Sequence, residues 1–262
     1  MNVLKIWKAK QDKKPLSMIT CYDFCMAQII NQTAIDMILV GDSLSMVMHG
    51  HKTTVGATMD LMVAHTEAVV RGAPDKFVVG DLPFLSYRKG IEEAVVQVDR
   101  LMKAGAQAIK LEGARGNIDL VRHLTQSGVP IMGHLGLTPQ SVHQLGGFRV
   151  QGRNDAAVEQ LLKDAKDLQE AGAFATVLEC VPAEVAKKVS ESLDIPTIGI
   201  GAGPHVDGQV LVLQDMLGMQ EGFKPKYLRT FMDGFQMISK AVNEYHEAVQ
   251  NKSYPQELES YS

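Results

Sequence analysis

Residues 76–113 read KFVVGDLPFLSYRKGIEEAVVQVDRLMKAGAQAIKLEG. The run KFVVGDLP (76–83) is short, β-branched and apolar, and it stops at Gly-Asp, as a buried strand does. From Ile91 to Ala104 the apolar residues recur at helical spacing, and Ala104-Gly105 supplies a left-handed cap. AIKLEG (108–113) is then a second apolar run. Strands that each follow a helix run parallel, because the helix carries the chain back to the starting end of the sheet.

The pattern continues in both directions. Further runs are LSMITCYD (16–23), DMILVGDS (36–43), VPIMGHLG (129–136), FATVLEC (174–180), IPTIGIGAG (195–203) and QVLVLQD (209–215), eight with the two above. Helical segments fill gaps at Met59 to Arg71, Ile118 to Gln126, Asp155 to Ala171, Pro182 to Leu193 and Lys226 to Ala248. Eight such units close most naturally into a single (β/α)8 TIM barrel of the α/β class. An open doubly wound sheet is the alternative. It usually carries a glycine fingerprint at its first strand-to-helix turn, and the turn after Tyr22-Asp23 has none.

The 262 residues suit one such domain, and 45% hydrophobic with 21% charged residues is an ordinary globular composition. No linker divides the chain, so one barrel domain is expected over residues 1–250. The polar segment 251–262 is expected to be a loose tail unless a neighbouring subunit holds it. With 26 basic against 30 acidic residues, the net charge is −4 and no basic stripe appears, which argues against nucleic acid as a partner. No apolar stretch is long enough to span a bilayer and the N-terminus lacks a signal h-region, so a cytoplasmic location is expected. Cys21, Cys25 and Cys180 are read as reduced core residues. A metal or redox pair at Cys21/Cys25 lacks a second Cys/His pair.

Barrel enzymes place their chemistry at the carboxyl ends of the strands, and the runs end accordingly in Asp42-Ser43, Asp81, Lys110-Leu-Glu112, His134 and Glu179. Asp42, Asp81 and Glu112 would repel one another severely at one partly dry rim without a cation. All-oxygen ligation favours Mg²⁺ first and Mn²⁺ second. Lys110 and Glu112, two apart, share a strand face, so Lys110 can balance substrate charge. Glu179, ending an apolar run away from the metal carboxylates, reads as a desolvated general base with a raised pKa. His134 is equally a satisfied rim histidine or a substrate contact. Gly199, Gly201 and Gly203 fit either a phosphate loop or tight turns.

These residues stand within words that resemble the ketopantoate hydroxymethyltransferase (3-methyl-2-oxobutanoate hydroxymethyltransferase) family. The words are TCYD, LVGDSLSMVMHG, HTEAVVRGAP, DLPF, KLEG, GHLGLTPQS, GGFRVQGR, LECVPAEVAKKV, IPTIGIGAG and DGQVLVLQD, in order from about Ile19 to Phe231. Ser45 is a departure, since the family more often has glycine there. The resemblance implies a barrel of the phosphoenolpyruvate mutase/isocitrate lyase superfamily type with one Mg²⁺ per subunit on Asp42, Asp81 and Glu112. It also implies oxoacid contacts at Asp42, Ser43, Asp81 and Lys110, and a proton acceptor at Glu179. The implied co-substrate is 5,10-methylenetetrahydrofolate, the implied reaction opens pantothenate synthesis, and the implied assembly is a homodecamer of two stacked pentamers. A carbon–carbon lyase or phosphonomutase on the same scaffold, a catalytically silent ring-forming barrel and a phosphate-binding barrel are the competing readings.

Overall fold

The computed structural model describes residues 1–222 and 224–261. The chain divides into two compact units, Met1–Val212 and Leu213–Ser262. In the first, β1 (Leu16–Thr20), β2 (Met37–Val40), β3 (Phe77–Asp81), β4 (Ala108–Glu112), β5 (Ile131–Gly136), β6 (Ala175–Glu179), β7 (Thr197–Ile200) and β8 (Gly208–Leu211) form a closed barrel in sequence order. Every neighbouring pair is parallel, including β1 with β8. Around the strands lie α1 (Val3–Gln11), α2 (Phe24–Asn31), α3 (Leu44–Val47), α4 (Met59–Gly72), α5 (Ile91–Lys103), α6 (Ile118–Gln126), α7 (Val142–Leu145), α8 (Asp155–Glu170) and α9 (Ala183–Glu191). The fold is the (β/α)8 barrel expected from the alternation of runs.

Strand periodicity decides what the barrel encloses. Met18, Met37, Leu39, Phe77, Val79, Ala108, Met132, Ala175, Val177, Ile198 and Val210 form one buried cluster at alternating strand positions. At the N-terminal ends α1 adds Ile6 and Ala9 to it, and Trp7 Nε1 donates to Phe174 O at 2.9 Å. Two residues further along the same face, and four for Glu112, the side chains become Asp81 on β3, Lys110 and Glu112 on β4, His134 on β5 and Glu179 on β6. Asp81 is the register partner of Lys110, and Glu112 of His134. One alternation therefore yields an apolar lower core and an ionisable mouth.

The chain from β7 to β8 has no helix, as the short gap between the two runs left no room for one, and that crossover is made by the segment 201–207 alone. Other expectations need correction. α1 and α2 were not expected; α2 is short, and the Asp23 side chain caps it by accepting from Met26 N at 2.9 Å. In the second unit are α10 (Leu213–Met216) and α11 (Gly234–Gln250). The helix expected from Lys226 thus begins eight residues later, because Phe231 N and Gly234 N bond back to Met216 O and Leu217 O. On α11, Phe235, Ile238, Val242, Tyr245 and Val249 recur at alternating three- and four-residue steps and are all exposed. Cys25 is exposed and Cys180 only partly buried, so of the three free thiols only Cys21 is a core residue.

Candidate active site

The barrel mouth carries a dry cluster of charge. Asp42, Asp81, Lys110 and Glu112 are each at least 96% buried, with relative exposures of 4%, 1%, 3% and 4%. Lys110 Nζ lies 2.9 Å from Asp81 Oδ1 and 3.9 Å from Glu112 Oε1. Burial opposes the lysine's charge, but Asp81, Glu112 and Asp42 outweigh it and raise its pKa. Burial first, then the charges of Asp81 and Glu112, push the Asp42 carboxyl well above its ordinary range. Burial also raises Asp81, against the pull of Lys110. Glu112 moves the other way, because His134, Lys110 and the Gln140 N–H outweigh its burial.

Neutral residues that the sequence reading passed over tie this cluster together. Gln140 sits in a 3-10 turn, Pro139–Ser141, just past β5. Its Nε2 donates to Asp42 Oδ2 and to Leu82 O, both at 2.9 Å, and its backbone N donates to Glu112 Oε2 at 3.1 Å. The Tyr87 hydroxyl donates to Gln140 Oε1 at 2.8 Å. Asp42 N donates to Asp81 Oδ2 at 3.1 Å. Ser43, next to Asp42 in the chain, has its Oγ 2.7 Å from the hydroxyl of buried Tyr22. Two residues on, Ser45 Oγ reaches His51 Nδ1 at 2.8 Å and Thr53 O at 3.2 Å, so this departure from glycine fastens the loop after β2.

Across the mouth, Glu179 is brought to the same cluster by His134. His134 Nδ1 is 3.3 Å from Glu112 Oε1 and its Nε2 is 3.2 Å from Glu179 Oε2. The Glu179 side chain keeps 15% exposure, so it is less desolvated than an apolar strand end suggested. Burial and Lys110 oppose charge on His134, but Glu112 and Glu179 prevail and push its pKa up to about 9. The sign follows by linkage. Both folded and unfolded imidazoles are protonated below about 6.5, and the stabilisation, on the order of 3 kcal/mol, is lost as pH rises towards 9. In chelator-treated protein the melting temperature of the native chain should therefore fall more steeply between pH 6.5 and 9 than that of His134→Gln; parallel curves would refute the pairing.

The backbone at Glu179 is fixed from both sides. Leu137 N donates to Glu179 O at 2.8 Å, and Cys180, held at φ +47°, accepts from Gln151 N at 2.8 Å. Gly136 lies at φ +87°, and a Cβ there would sit 2.3 Å from Glu179 O. Gly136→Ala should cost about 2 kcal/mol or more. Gly128→Ala, at φ +89° but in open space, should cost only about 1 kcal/mol, so equal denaturation midpoints would contradict the clash. Gly203 after β7 and Gly199 within it are likewise explained by close approach, since added Cβ atoms would meet Ala183 Cβ at 2.4 Å and Val206 at 2.8 Å.

The donor set suits a hard divalent cation. The carboxylates come from β3, β4 and the turn after β2, are all oxygen donors, and include the buried Glu112 Oε1, which has no aligned hydrogen-bond partner. Among the described residues, no three acidic, histidine or cysteine side chains form a ready-made cage.

A closed parallel barrel with its ionisable groups at the carboxyl ends of the strands defines the class of (β/α)8 barrel enzymes. The chain overlays a phosphonopyruvate hydrolase solved with oxalate and Mg²⁺ at a TM-score of 0.63 and 11% identity, covering 99% of this chain and 93% of that one. In fold it also overlays 2,3-dimethylmalate lyase, itself a PEP mutase/isocitrate lyase superfamily member, at 0.58 and 14% identity, covering 97% and 88%. Within this class, the chain belongs to the ketopantoate hydroxymethyltransferase family, which it matches over residues 1–257. It is 59% identical over 261 residues to the 3-methyl-2-oxobutanoate hydroxymethyltransferase of Bdellovibrio bacteriovorus, covering 100% of this chain and 99% of the relative. To the protein of that name from Coxiella burnetii it is 54% identical over 256 residues, covering 97% and 96%.

Proposed function

We propose that this enzyme transfers a hydroxymethyl group from 5,10-methylenetetrahydrofolate to 3-methyl-2-oxobutanoate, giving 2-dehydropantoate and tetrahydrofolate with uptake of one water. The observation that carries the reading is the Glu179 carboxylate facing, through His134, the buried cluster of Asp42, Asp81, Lys110 and Glu112. Its support is the family membership of the chain. Asp42, Asp81 and Glu112 would hold one Mg²⁺ per subunit. When bound, such an ion supplies Lewis acidity that stabilises negative charge on a chelated 2-oxoacid.

The chain's own residues do the rest. Lys110 and Ser43, the latter held by Tyr22, orient the oxoacid together with Asp42 and Asp81, and Lys110 balances its carboxylate. Glu179 takes the C3 proton onto Oε1, since Oε2 lies against His134 Nε2. Water adds to the methylene carbon of the folate and both of its carbon–nitrogen bonds break, each returning its electron pair to a folate nitrogen that takes up a proton of that water. The carbon so exposed bonds to the released one-carbon unit, at the oxidation level of formaldehyde, and the proton held by Glu179 completes the new hydroxyl. With the other carboxylates of the cluster buried, protons reach C3 from solvent by way of Glu179, whose side chain keeps 15% exposure.

The same reading makes the reaction the first committed step of pantothenate synthesis, in the cytoplasm, by one barrel domain to residue 250 with a loose tail at 251–262. No described helix is long and apolar enough to cross a membrane. A homodecamer of two pentamers is the proposed assembly, supported by the exposed apolar stripe of α11. The deciding assay combines purified protein, 3-methyl-2-oxobutanoate, methylenetetrahydrofolate and Mg²⁺, omits each in turn, and detects dehydropantoate by mass. Product is expected only from the complete mixture. Cleavage of a 2-oxoacid without folate would instead make the chain a lyase.

A further inference from the structure

Most of the cluster's charge is accounted for by ion pairs, yet the residue that touches the most strand ends is uncharged. Gln140 is 4% exposed, and its amide uses both N–H donors and its oxygen at once. With its backbone N–H it bonds to groups carried on β4, on the turn after β2 and on the segment after β3, while itself following β5. The orientation of this amide is fixed by its partners. Turned over, it would aim Oε1 at Asp42 Oδ2 and Leu82 O, two acceptors, and its NH₂ at Tyr87. The Tyr87 hydroxyl, which also lies 3.2 Å from Glu112 O, holds it in the productive sense.

The result is a division within each carboxylate. Asp42 commits Oδ2 to Gln140, and Glu112 commits Oε2 to the Gln140 N–H, while Glu112 Oε1 has no aligned hydrogen-bond donor. We propose that Gln140 is a positioning residue, oriented by Tyr87, that fixes Asp42 and Glu112 by one oxygen each and so presets their remaining oxygens for a single divalent cation. The inference rests on the metal-dependent reading above. The chemical logic is preorganisation: two buried like charges held apart by a neutral donor need no rearrangement when a cation arrives, whereas free carboxylates would rotate away from each other.

The test uses the full chain and Mn²⁺ as the probe, with binding followed by electron paramagnetic resonance and folding by circular dichroism. Gln140→Leu should weaken Mn²⁺ binding tenfold or more and raise the KM for the oxoacid, while far-ultraviolet dichroism stays native. Tyr87→Phe, which leaves the amide in place but frees it to turn over, should weaken binding about threefold. The double variant should bind no worse than Gln140→Leu, because both act through one amide. Folded variants that bind Mn²⁺ like the native chain, or losses that simply multiply, would overturn the proposal. If Gln140→Leu does not fold, Tyr87→Phe decides alone, and unchanged affinity there overturns it. A native chain that binds no Mn²⁺ overturns the metal reading and this inference with it, whereas native binding with indifferent variants overturns this inference only.

Discussion

Glu179→Gln is expected to bind 3-methyl-2-oxobutanoate and Mg²⁺ as the native chain does, yet to lose exchange of the C3 proton with solvent and to lower turnover by roughly 10²- to 10⁴-fold. The substitution changes little but basicity. A glutamine oxygen can still accept from His134 Nε2, now 3.2 Å from Glu179 Oε2, and the bonds that fix the backbone at residues 179 and 180 are untouched. Deuterium incorporation at C3, followed by nuclear magnetic resonance without folate, reads the proton step alone. Undiminished incorporation would remove Glu179 from the role of base. Loss of oxoacid binding together with exchange would make it a binding residue instead.

The second large effect concerns Lys110, whose ammonium is the cation nearest Asp81 and is enclosed by Glu112 and His134. Lys110→Met keeps the length of the side chain and removes its charge. Breaking a buried pair by deleting one partner typically costs about 3–5 kcal/mol, since the other charge stays unpaired. For a chain of this size that corresponds to a fall in melting temperature of roughly 6–15 °C. The loss should be largest at alkaline pH, where the carboxylates are ionised, and should shrink as they protonate on acidification. It should also narrow when Mg²⁺ is added, because a second cation can take up part of the same charge. A variant as stable as the native chain at pH 8 without metal would show that the lysine is not balancing these carboxylates. Activity should be abolished in either case.

How far the sequence leads can be judged from particular residues. The unit at 76–113 announces its strands by β-branched runs and its helix by spacing, and all eight runs become strands because burial on both faces demands uninterrupted apolar residues. Asp81, Lys110, Glu112 and Glu179 are legible for a related reason: a charge at the end of such a run stands out, and strand periodicity says which way it points. Gln140 and Tyr22 carry no such contrast. A neutral amide after Thr-Pro reads as turn chemistry, and a tyrosine closing an apolar run reads as core, so only the folded geometry reveals what their polar atoms reach. The late start of α11 was hidden by a helical composition that competes with backbone bonds to residues 216 and 217.

The ionisable interior is not distributed evenly around the barrel. Within the bounds of β1, β7 and β8 there is no acidic, basic or histidine residue, while the reacting groups lie on one arc from the end of β2 to the end of β6. The ionisable and the uncharged strands thus occupy different sectors of one cylinder. Inherited apolar substitutions in the uncharged sector can therefore accumulate without altering the charge balance of the opposite arc.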